Sequence, residues 1–177
     1  ERIRMLRDHG MDKQRRYWHL EAGFNYRLTN LQSAIGLAQM ERLDAFVEER
    51  KQTVALYHQG LRGLKAITRP MEEAWAISSY WLYTILIDEN QSPLSRDQLA
   101  AALKQRGVDT RHVFPCLDRQ PAFTSGHASG DLPVARRVER QGLSLPMYTG
   151  LSAADISQIC DTIHGVMTAV SERSVSY

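Results

Sequence analysis

One short segment of the sequence combines residue types suited to binding an anion. Residues 23–30, GFNYRLTN, place Asn25 and Arg27 two positions apart, directly before a predicted helix start. An amide donor and a guanidinium group both suit phosphate oxygens, so these two side chains are candidate anion ligands. The residues alone leave a second interpretation open, in which Asn25 only satisfies turn amides and Arg27 pairs with a surface carboxylate.

Other kinds of site find little support. The sequence contains no GxSxG, HExxH, GxxxxGK[ST] or GxGxxG motif, which argues against the nucleophile, zinc and nucleotide sites that use them. Its six histidines show no ligand spacing, so we predict no metal site. Residues 13–19 mix basic and aromatic types that could contact nucleic acid. We favour a solvated or interface loop there, because no nucleic-acid-binding module is present.

The composition is that of an ordinary globular protein, with 43% hydrophobic and 24% charged residues. A formal charge of +2 is too small to predict a nucleic-acid or membrane partner, and no membrane span or signal peptide is predicted. Cys116 and Cys160 form no paired motif, so we predict reduced thiols in a cytoplasmic protein. Glu1 opens inside a predicted helix, and we therefore expect further residues upstream.

Hydrophobic periodicity supplies the elements that would position the candidate residues. It predicts a helix end over 1–9, one long helix over 30–63, strands over 80–87, 108–114 and 143–145, and helices over 95–107, 132–141 and from 152. Capping-box spacing marks three helix starts, at Thr29/Gln32, Ser95/Gln98 and Ser152/Asp155. Leu31 is expected on a buried face of the long helix, so that Leu31→Asp would harm folding.

These elements predict an α/β fold of the α+β kind, in which a long helix precedes a small three-stranded sheet covered by helices. A helix of about 30 residues is long for a globular domain and suits a domain junction or a subunit interface.

Several segments resemble one known family. GFNYRLTNLQSAIGLAQMERLD (23–44) resembles the G-[YF]-N-x-R-[ML] segment of the DegT/StrS sugar-nucleotide aminotransferases, and RDHGMDKQRRYWHLEA (7–22) resembles the lead-in of their GDP-perosamine synthase branch. The likeness continues through residues 80–87, 107–123 and 143–160 in family order. The chain is thus identified as a member of this family, similar to its C-terminal portion, a fold-type I domain.

The resemblance implies a homodimer that uses pyridoxal 5'-phosphate (PLP) to move an amino group from an amino acid, glutamate being usual, to a keto-sugar nucleotide in polysaccharide biosynthesis. It implies that Asn25 reaches the PLP phosphate of the partner subunit and that Arg27 lies at the same site. Residues in the segment 111–123 would line the sugar-nucleotide side, with Arg111, His112 and Phe114 as substrate ligands. Pro115 and Asp118 depart from the aromatic or His residues of many relatives.

A transaminase needs a lysine to hold the cofactor and to shuttle a proton. In the family this lysine lies upstream of the segment matched here, and none of the four lysines, Lys13, Lys51, Lys65 and Lys104, stands in such a context. We therefore expect residues 1–29 to end a large domain, 30–63 to brace it, 64–170 to form a small domain and 171–177 to be a tail. The chain alone would be inactive. The alternative is a relative that dimerises or binds without catalysis.

Overall fold

The computed structural model describes residues 1–123 and 130–174, with side chains as far as Ala169. They form two compact units, a first unit of residues 1–44 and a second unit from Ala45 onward. The elements in chain order are α1 (Arg2–Leu6), α2 (Asn30–Met40), α3 (Leu43–Gly60), β1 (Ile67–Thr68), β2 (Tyr83–Ile87), α4 (Arg96–Lys104), β3 (Arg111–His112), a 3-10 turn (Leu117–Arg119), α5 (Pro133–Gln141), β4 (Gly142–Leu145) and α6 (Ala153–Ser174).

The helix predicted over residues 30–63 is two helices rather than one. Between α2 and α3, the Glu41 amide donates to Leu37 O at 2.9 Å, but the Arg42 amide donates to Gln39 O at 3.2 Å. This change to three-residue spacing tightens the backbone and ends the regular helical ladder. The residues at the interruption, Glu41 and Arg42, are neither Gly nor Pro, and the hydrophobic pattern continues across them. The sequence therefore does not indicate that the helix ends there.

The three predicted caps are confirmed. Thr29 accepts a hydrogen bond from the Gln32 amide at 3.3 Å, and the Gln32 side chain accepts one from the Thr29 amide at 2.9 Å. The same reciprocal pair joins Ser95 and Gln98 at the start of α4. At the start of α6, Ser152 accepts from the Asp155 amide at 3.1 Å. These bonds satisfy backbone donors that a helix start leaves without partners.

In the described part of the second unit the sheet has four strands, one more than the three that the sequence predicts. The order is β1-β2-β4-β3 and every neighbouring pair is antiparallel. Strand β1 pairs Ile67 with Ile87 and is only two residues long, too short to carry an alternating pattern. The α/β class itself, a small antiparallel sheet with helices, is confirmed.

The core of the second unit is built around β2 and β4. Tyr83, Ile85 and Ile87 alternate with half-buried residues along β2, whereas all of β4 is buried. The ring of Tyr57 on α3 stacks on Tyr83 with centroids 4.7 Å apart, and its hydroxyl donates to Pro146 O at 2.8 Å. The predicted apolar stripe of α6 is buried at Ile156, Ile159, Ile163 and Val166.

The first unit buries much less. Leu31 is 72% exposed, so the expectation that it packs in the interior of the chain is wrong. Other large apolar side chains of the same unit are exposed too: Phe24, Tyr26, Leu28, Ile35, Leu37 and Met40. Among the described residues, no helix is long and apolar enough to cross a lipid bilayer.

Candidate functional site

The candidate anion segment is held by backbone pairing with the residues that follow α1. The His9 amide donates to Phe24 O at 3.0 Å, and the Tyr26 amide donates to Arg7 O at 2.9 Å. Asp8 and Asn25 lie opposite each other as an antiparallel bridge. The backbone on both sides of Asn25 is therefore fixed by hydrogen bonds to a segment about 17 residues earlier in the sequence.

Two glycines allow these segments to approach so closely. A Cβ on Gly23 would lie 2.3 Å from Gly10 N and 2.7 Å from His9 C, far inside van der Waals contact. Gly10 also has φ +66°, in the left-handed region that costs a side-chain-bearing residue energy. Gly23 belongs to the segment from which the anion site was predicted, and its function in this structure is to bring residue 25 against residue 8.

Asn25 and Arg27 contact each other. The Asn25 Oδ1 atom accepts hydrogen bonds from the Arg27 amide at 3.3 Å and from Arg27 Nε at 3.2 Å. A terminal guanidinium nitrogen of Arg27 lies 3.4 Å from Asp8 Oδ1, and both members of that ion pair are about half exposed. The turn contact and the carboxylate pair of the second interpretation are thus both present.

These contacts still leave donors for an anion. Because Asn25 uses its oxygen on Arg27, its Nδ2 group keeps two N–H donors with no partner among residues 1–123 and 130–174. The second terminal nitrogen of Arg27 is likewise not engaged within that part of the chain. Both residues are exposed, so an anion outside this segment can reach them. The donor set fits a phosphate group, since amide and guanidinium N–H groups are its usual protein ligands.

The loop of residues 13–19 bears two cation–π pairs. The guanidinium of Arg15 lies 3.9 Å from the Trp18 ring centroid, and that of Arg16 lies 4.9 Å from the Tyr17 centroid. These pairs account for the mixture of basic and aromatic residues by contacts within the loop.

The predicted substrate residues of the second unit lie on and after the edge strand β3. Arg111 and His112 form β3, which pairs with Ser144 and Leu143 of β4. His112 Nε2 lies 3.5 Å from Asp97 Oδ1, on α4. Their side chains are exposed, as a substrate-binding role requires.

Phe114 is stacked on Trp81, with ring centroids 6.4 Å apart and planes 19° from parallel. Both rings are largely exposed. Sequence reasoning missed Trp81 as a possible site residue because it stands inside the apolar run 80–87 that predicts a buried strand. The structure begins β2 at Tyr83, which leaves Trp81 outside the strand.

Asp118, which departs from the family pattern, has a structural partner. Its Oδ2 accepts from Arg136 at 3.1 Å, and the neighbouring Arg119 donates to Glu139 at 3.1 Å. Both partners lie on α5, so these pairs attach the 3-10 turn to that helix. The Glu139 carboxylate also raises the pKa of the Cys116 thiol, and burial acts in the same direction.

Among the residues that the structure describes, the lysines and histidines form no further site. All four lysines are exposed, as expected from their sequence contexts. Lys13 lies 3.3 Å from Glu1, and the other three have no ion pair among the described residues. Within residues 1–123 and 130–174, no three His, Cys, Asp or Glu side chains come together as metal ligands. His127 lies outside the described residues.

Comparison with known proteins gives a consistent picture. A sequence model described as the DegT/DnrJ/EryC1/StrS aminotransferase family matches residues 1–164. The chain is 38% identical to the GDP-perosamine synthase of Caulobacter vibrioides over 167 residues, which cover 94% of this chain and 44% of that protein. It is 36% identical to a UDP-2-acetamido-2-deoxy-3-oxo-D-glucuronate aminotransferase of Pseudomonas aeruginosa, covering 89% and 41% of the two chains.

Solved structures agree. DesV of S. venezuelae superposes with a TM-score of 0.80 at 30% identity, covering 94% of this chain and 43% of that one. The aminotransferase TlmJ of Streptoalloteichus hindustanus gives 0.82 at 29% identity, covering 96% and 45%. The chain therefore spans less than half the length of these relatives.

Proposed function

This chain belongs to the DegT/DnrJ/EryC1/StrS aminotransferase family, and we propose that it forms the C-terminal portion of a PLP-dependent enzyme that aminates a keto-sugar nucleotide. The family is PLP-dependent. The amino donor is an amino acid, for which we propose glutamate. The observation that carries the proposal is the match over residues 1–164, which includes the segment bearing Asn25 and Arg27.

For the substrate we propose GDP-4-keto-6-deoxymannose. The support is the 38% identity to a GDP-perosamine synthase, together with the lead-in over residues 7–22. The chain is also 36% identical to an aminotransferase named for a UDP-linked uronic acid. Other sugar nucleotides are therefore assayed as substrates beside the GDP-linked sugar.

The chemistry would be divided between this chain and other residues of the protein. PLP, when bound, supplies the electron sink for moving an amino group between carbon atoms. Because none of the four lysines stands in a suitable context, we propose that the lysine holding PLP comes from outside these 177 residues and that the chain alone does not transaminate.

The chain's own residues would bind and orient. Asn25 Nδ2 and the free Arg27 nitrogen would donate to the PLP phosphate, with the Asn25–Arg27 contact fixing both side chains beforehand. Arg111 would pair with an anionic part of the substrate, while His112 and the Phe114 ring would contact its sugar or base.

We also propose a homodimer in which the anion held by Asn25 belongs to the partner subunit. The support is the large apolar surface that the first unit leaves exposed, including Leu31, Ile35 and Met40 of α2. Exposed apolar side chains concentrated in one segment commonly mark a protein interface. A cytoplasmic location, suggested by the two free cysteines, belongs to the same proposal.

The test is to express the complete reading frame that encodes this chain, and separately residues 1–177. We expect the first protein to bind PLP and to consume glutamate with a 4-keto-sugar nucleotide, and the second to do neither. Cofactor absorbance and mass spectrometry of the amino sugar provide the readouts. A complete protein that dimerises without binding PLP would favour the non-catalytic alternative. Transamination by residues 1–177 alone would refute the proposed division.

A further inference from the structure

Tyr80, the residue directly before Trp81, has a left-handed backbone conformation. Its φ is +47°, in a region that residues other than glycine seldom adopt. Such a conformation costs energy, and it persists only where the surrounding contacts hold it. Because residues held in this way are concentrated at functional sites, the contacts of Tyr80 indicate what its strained backbone serves.

All three polar groups of Tyr80 are hydrogen-bonded. Its amide donates to Ser78 Oγ at 3.1 Å, and its carbonyl oxygen accepts from Arg50 Nη1 at 3.2 Å. Its hydroxyl donates to Glu72 Oε2 at 2.8 Å. Arg50 lies on α3, whereas Glu72 and Ser78 lie in the loop between β1 and β2. The backbone and the side chain of Tyr80 are therefore held from two different parts of the second unit.

Arg50 and Glu72 each hold a second group of the same turn, and we call these two residues the clamp. Arg50 Nη1 also donates to Trp81 O at 3.1 Å, so one guanidinium nitrogen bridges two successive carbonyls. Glu72 Oε1 accepts from the Ser78 amide at 2.7 Å. This backbone bond, and next the bond from the Tyr80 hydroxyl, lowers the pKa of the Glu72 carboxyl, which is thus ionised at neutral pH. The bonds of the clamp are charge-assisted, which makes them stronger than bonds between neutral groups.

The clamp fixes the backbone that carries the Trp81 ring. That ring stacks on Phe114 at a centroid distance of 6.4 Å, and the two residues are 64% and 69% exposed. Because so little protein surrounds the pair, packing around it contributes little to its position. Phe114 follows the edge strand β3, which is in register with β4 over two residues. The anchored backbone of Trp81 therefore supports the Phe114 ring.

We propose that Arg50, Glu72 and Tyr80 are positioning residues, which hold Trp81 where its ring supports Phe114. An extended backbone at residue 80 would carry Trp81 along a different path, and the clamp prevents that change. Any effect on the enzyme passes through Phe114, the substrate contact proposed above, so this step rests on the proposed function. The arrangement of the turn itself does not depend on it.

Fluorine NMR of the complete protein, labelled with 5-fluorotryptophan, tests the positioning. Trp81→Phe assigns the Trp81 resonance, and Phe114→Leu gives the chemical shift of a Trp81 ring without its neighbour. We expect Tyr80→Phe, which removes only the hydroxyl, and Glu72→Gln to move the Trp81 resonance toward that value. Glu73→Gln, at the next exposed carboxylate, is the matched control and should leave the resonance in place. Circular dichroism of each variant confirms that it is folded.

Kinetics of the same variants test the step from Phe114 to the substrate. With GDP-4-keto-6-deoxymannose varied, we expect Tyr80→Phe and Glu72→Gln to raise KM about fivefold, the effect of losing one net hydrogen bond, and to change kcat by less than about twofold. A merely structural role would instead reduce the amount of active protein, which lowers kcat and leaves KM unchanged.

A Trp81 resonance at its wild-type position in both Tyr80→Phe and Glu72→Gln would overturn the positioning role. A displaced resonance with an unchanged KM would refute the step to the substrate. Failure of the proposed function is distinguishable from both results. A complete protein without transaminase activity would still give the NMR comparison, which decides whether the clamp holds Trp81.

Discussion

Asn25 uses the two atoms of its amide group differently. Its oxygen accepts from the Arg27 amide and from Arg27 Nε, so it orients the arginine. Its nitrogen remains a donor with no partner in the described part of the chain, and that atom is the one that could contact a phosphate oxygen. The residue therefore combines a positioning contact with a binding contact, and substitutions can separate them.

Asn25→Ala removes both contacts, whereas Asn25→Asp keeps an oxygen for Arg27 but replaces the donor by a negative charge. In the complete protein, we expect Asn25→Ala to weaken PLP binding by about 1.5–3 kcal/mol, the value of a hydrogen bond to a charged group. Asn25→Asp should weaken it further, because the added charge repels phosphate. Equilibrium dialysis of PLP measures both.

Asn30→Ala, an exposed asparagine at the first position of α2, is the control for these variants. PLP affinity that is unaffected by Asn25→Asp would remove Asn25 from the phosphate site. An equal loss in all three variants would indicate a general effect on folding instead.

The sequence was most informative at single residues whose partners are near in the chain. The Thr29/Gln32 and Ser95/Gln98 caps involve residues three apart, so spacing alone predicted them. The Asp118–Arg136 ion pair spans 18 residues, and nothing in the local pattern marks it. The sequence predicted Asn25 and Arg27 as a candidate pair. It did not predict that Asn25 lies opposite Asp8 in a backbone bridge or that Arg27 forms an ion pair with Asp8, because both depend on segments 17 to 19 residues apart.

His58 offers a test of how α3 packs against β2. Its ring meets the Tyr83 ring edge-on at a centroid distance of 5.6 Å. Burial, and next the nearby Arg69 guanidinium, lowers the pKa of His58 below its usual value. The unfolded chain therefore binds a proton there more readily than the folded chain, so this residue makes stability fall as the pH drops through about 6.5.

We expect the free energy of unfolding of the chain, measured in urea, to decrease between pH 7.5 and pH 5.5, and His58→Gln to make that decrease smaller. Gln59→Ala, at the exposed residue next to His58 on α3, adds and removes no titratable group, so it serves as the control and should preserve the wild-type pH dependence. Carboxylates such as Glu72 and Asp88 have lowered pKa values, and they contribute only at more acidic pH. An identical pH dependence in His58→Gln would contradict the assignment.

Residues 7–9 pair with residues 24–26, and we call these two paired segments the hairpin. The close approach of residues 10 and 23 determines its geometry. Gly23→Ala would place a methyl group within 3 Å of three backbone atoms of residues 6, 9 and 10. We expect the segments to separate, at a cost of about 1–3 kcal/mol. Hydrogen exchange of the His9 and Tyr26 amides, which bond across the hairpin, should accelerate accordingly.

Gly36→Ala on α2 is the matched control, because nothing lies within 4 Å of its added Cβ. It should leave exchange at His9 and Tyr26 unchanged and slow exchange within α2, since alanine favours helix over glycine. Unchanged exchange in Gly23→Ala would mean that the backbone accommodates the methyl group and that the glycine is not required for the hairpin.

At the level of elements, the sequence predicted types better than boundaries. The α4 and α5 helices and the strands β2 and β4 lie where periodicity placed them. The strand predicted over 108–114 is reduced to Arg111–His112, the two residues that lie in register with Ser144 and Leu143 of β4. The two-residue β1 and the interruption at Glu41 and Arg42 were missed, since each depends on backbone hydrogen bonding rather than on side-chain pattern.

The two units differ in how completely they bury their apolar residues. The second unit encloses a continuous core that includes Tyr57, Ile85 and Ile163. The first unit exposes more than half of each of Leu31, Ile35, Leu37 and Met40. A helix with this much exposed apolar surface gains little from packing within its own chain. This exposed apolar surface is the observation that supports the homodimer proposed above.

Substitutions on α2 distinguish a surface that packs within the chain from one that binds a partner. Leu31→Asp adds a charge at a position that is 72% exposed, so we expect the stability of residues 1–177 in urea to change by less than about 0.5 kcal/mol.

In the complete protein the same substitution should weaken dimerisation strongly, because it would bury an unpaired charge at the interface. Analytical ultracentrifugation over a concentration series measures this. Ser157→Asp, which adds the same charge at an exposed position of α6 in the second unit, should dimerise like the wild type. Equal dimerisation of the two variants would show that the Leu31 side of α2 lies outside the interface, and a large loss of stability in residues 1–177 would show that it packs within the chain.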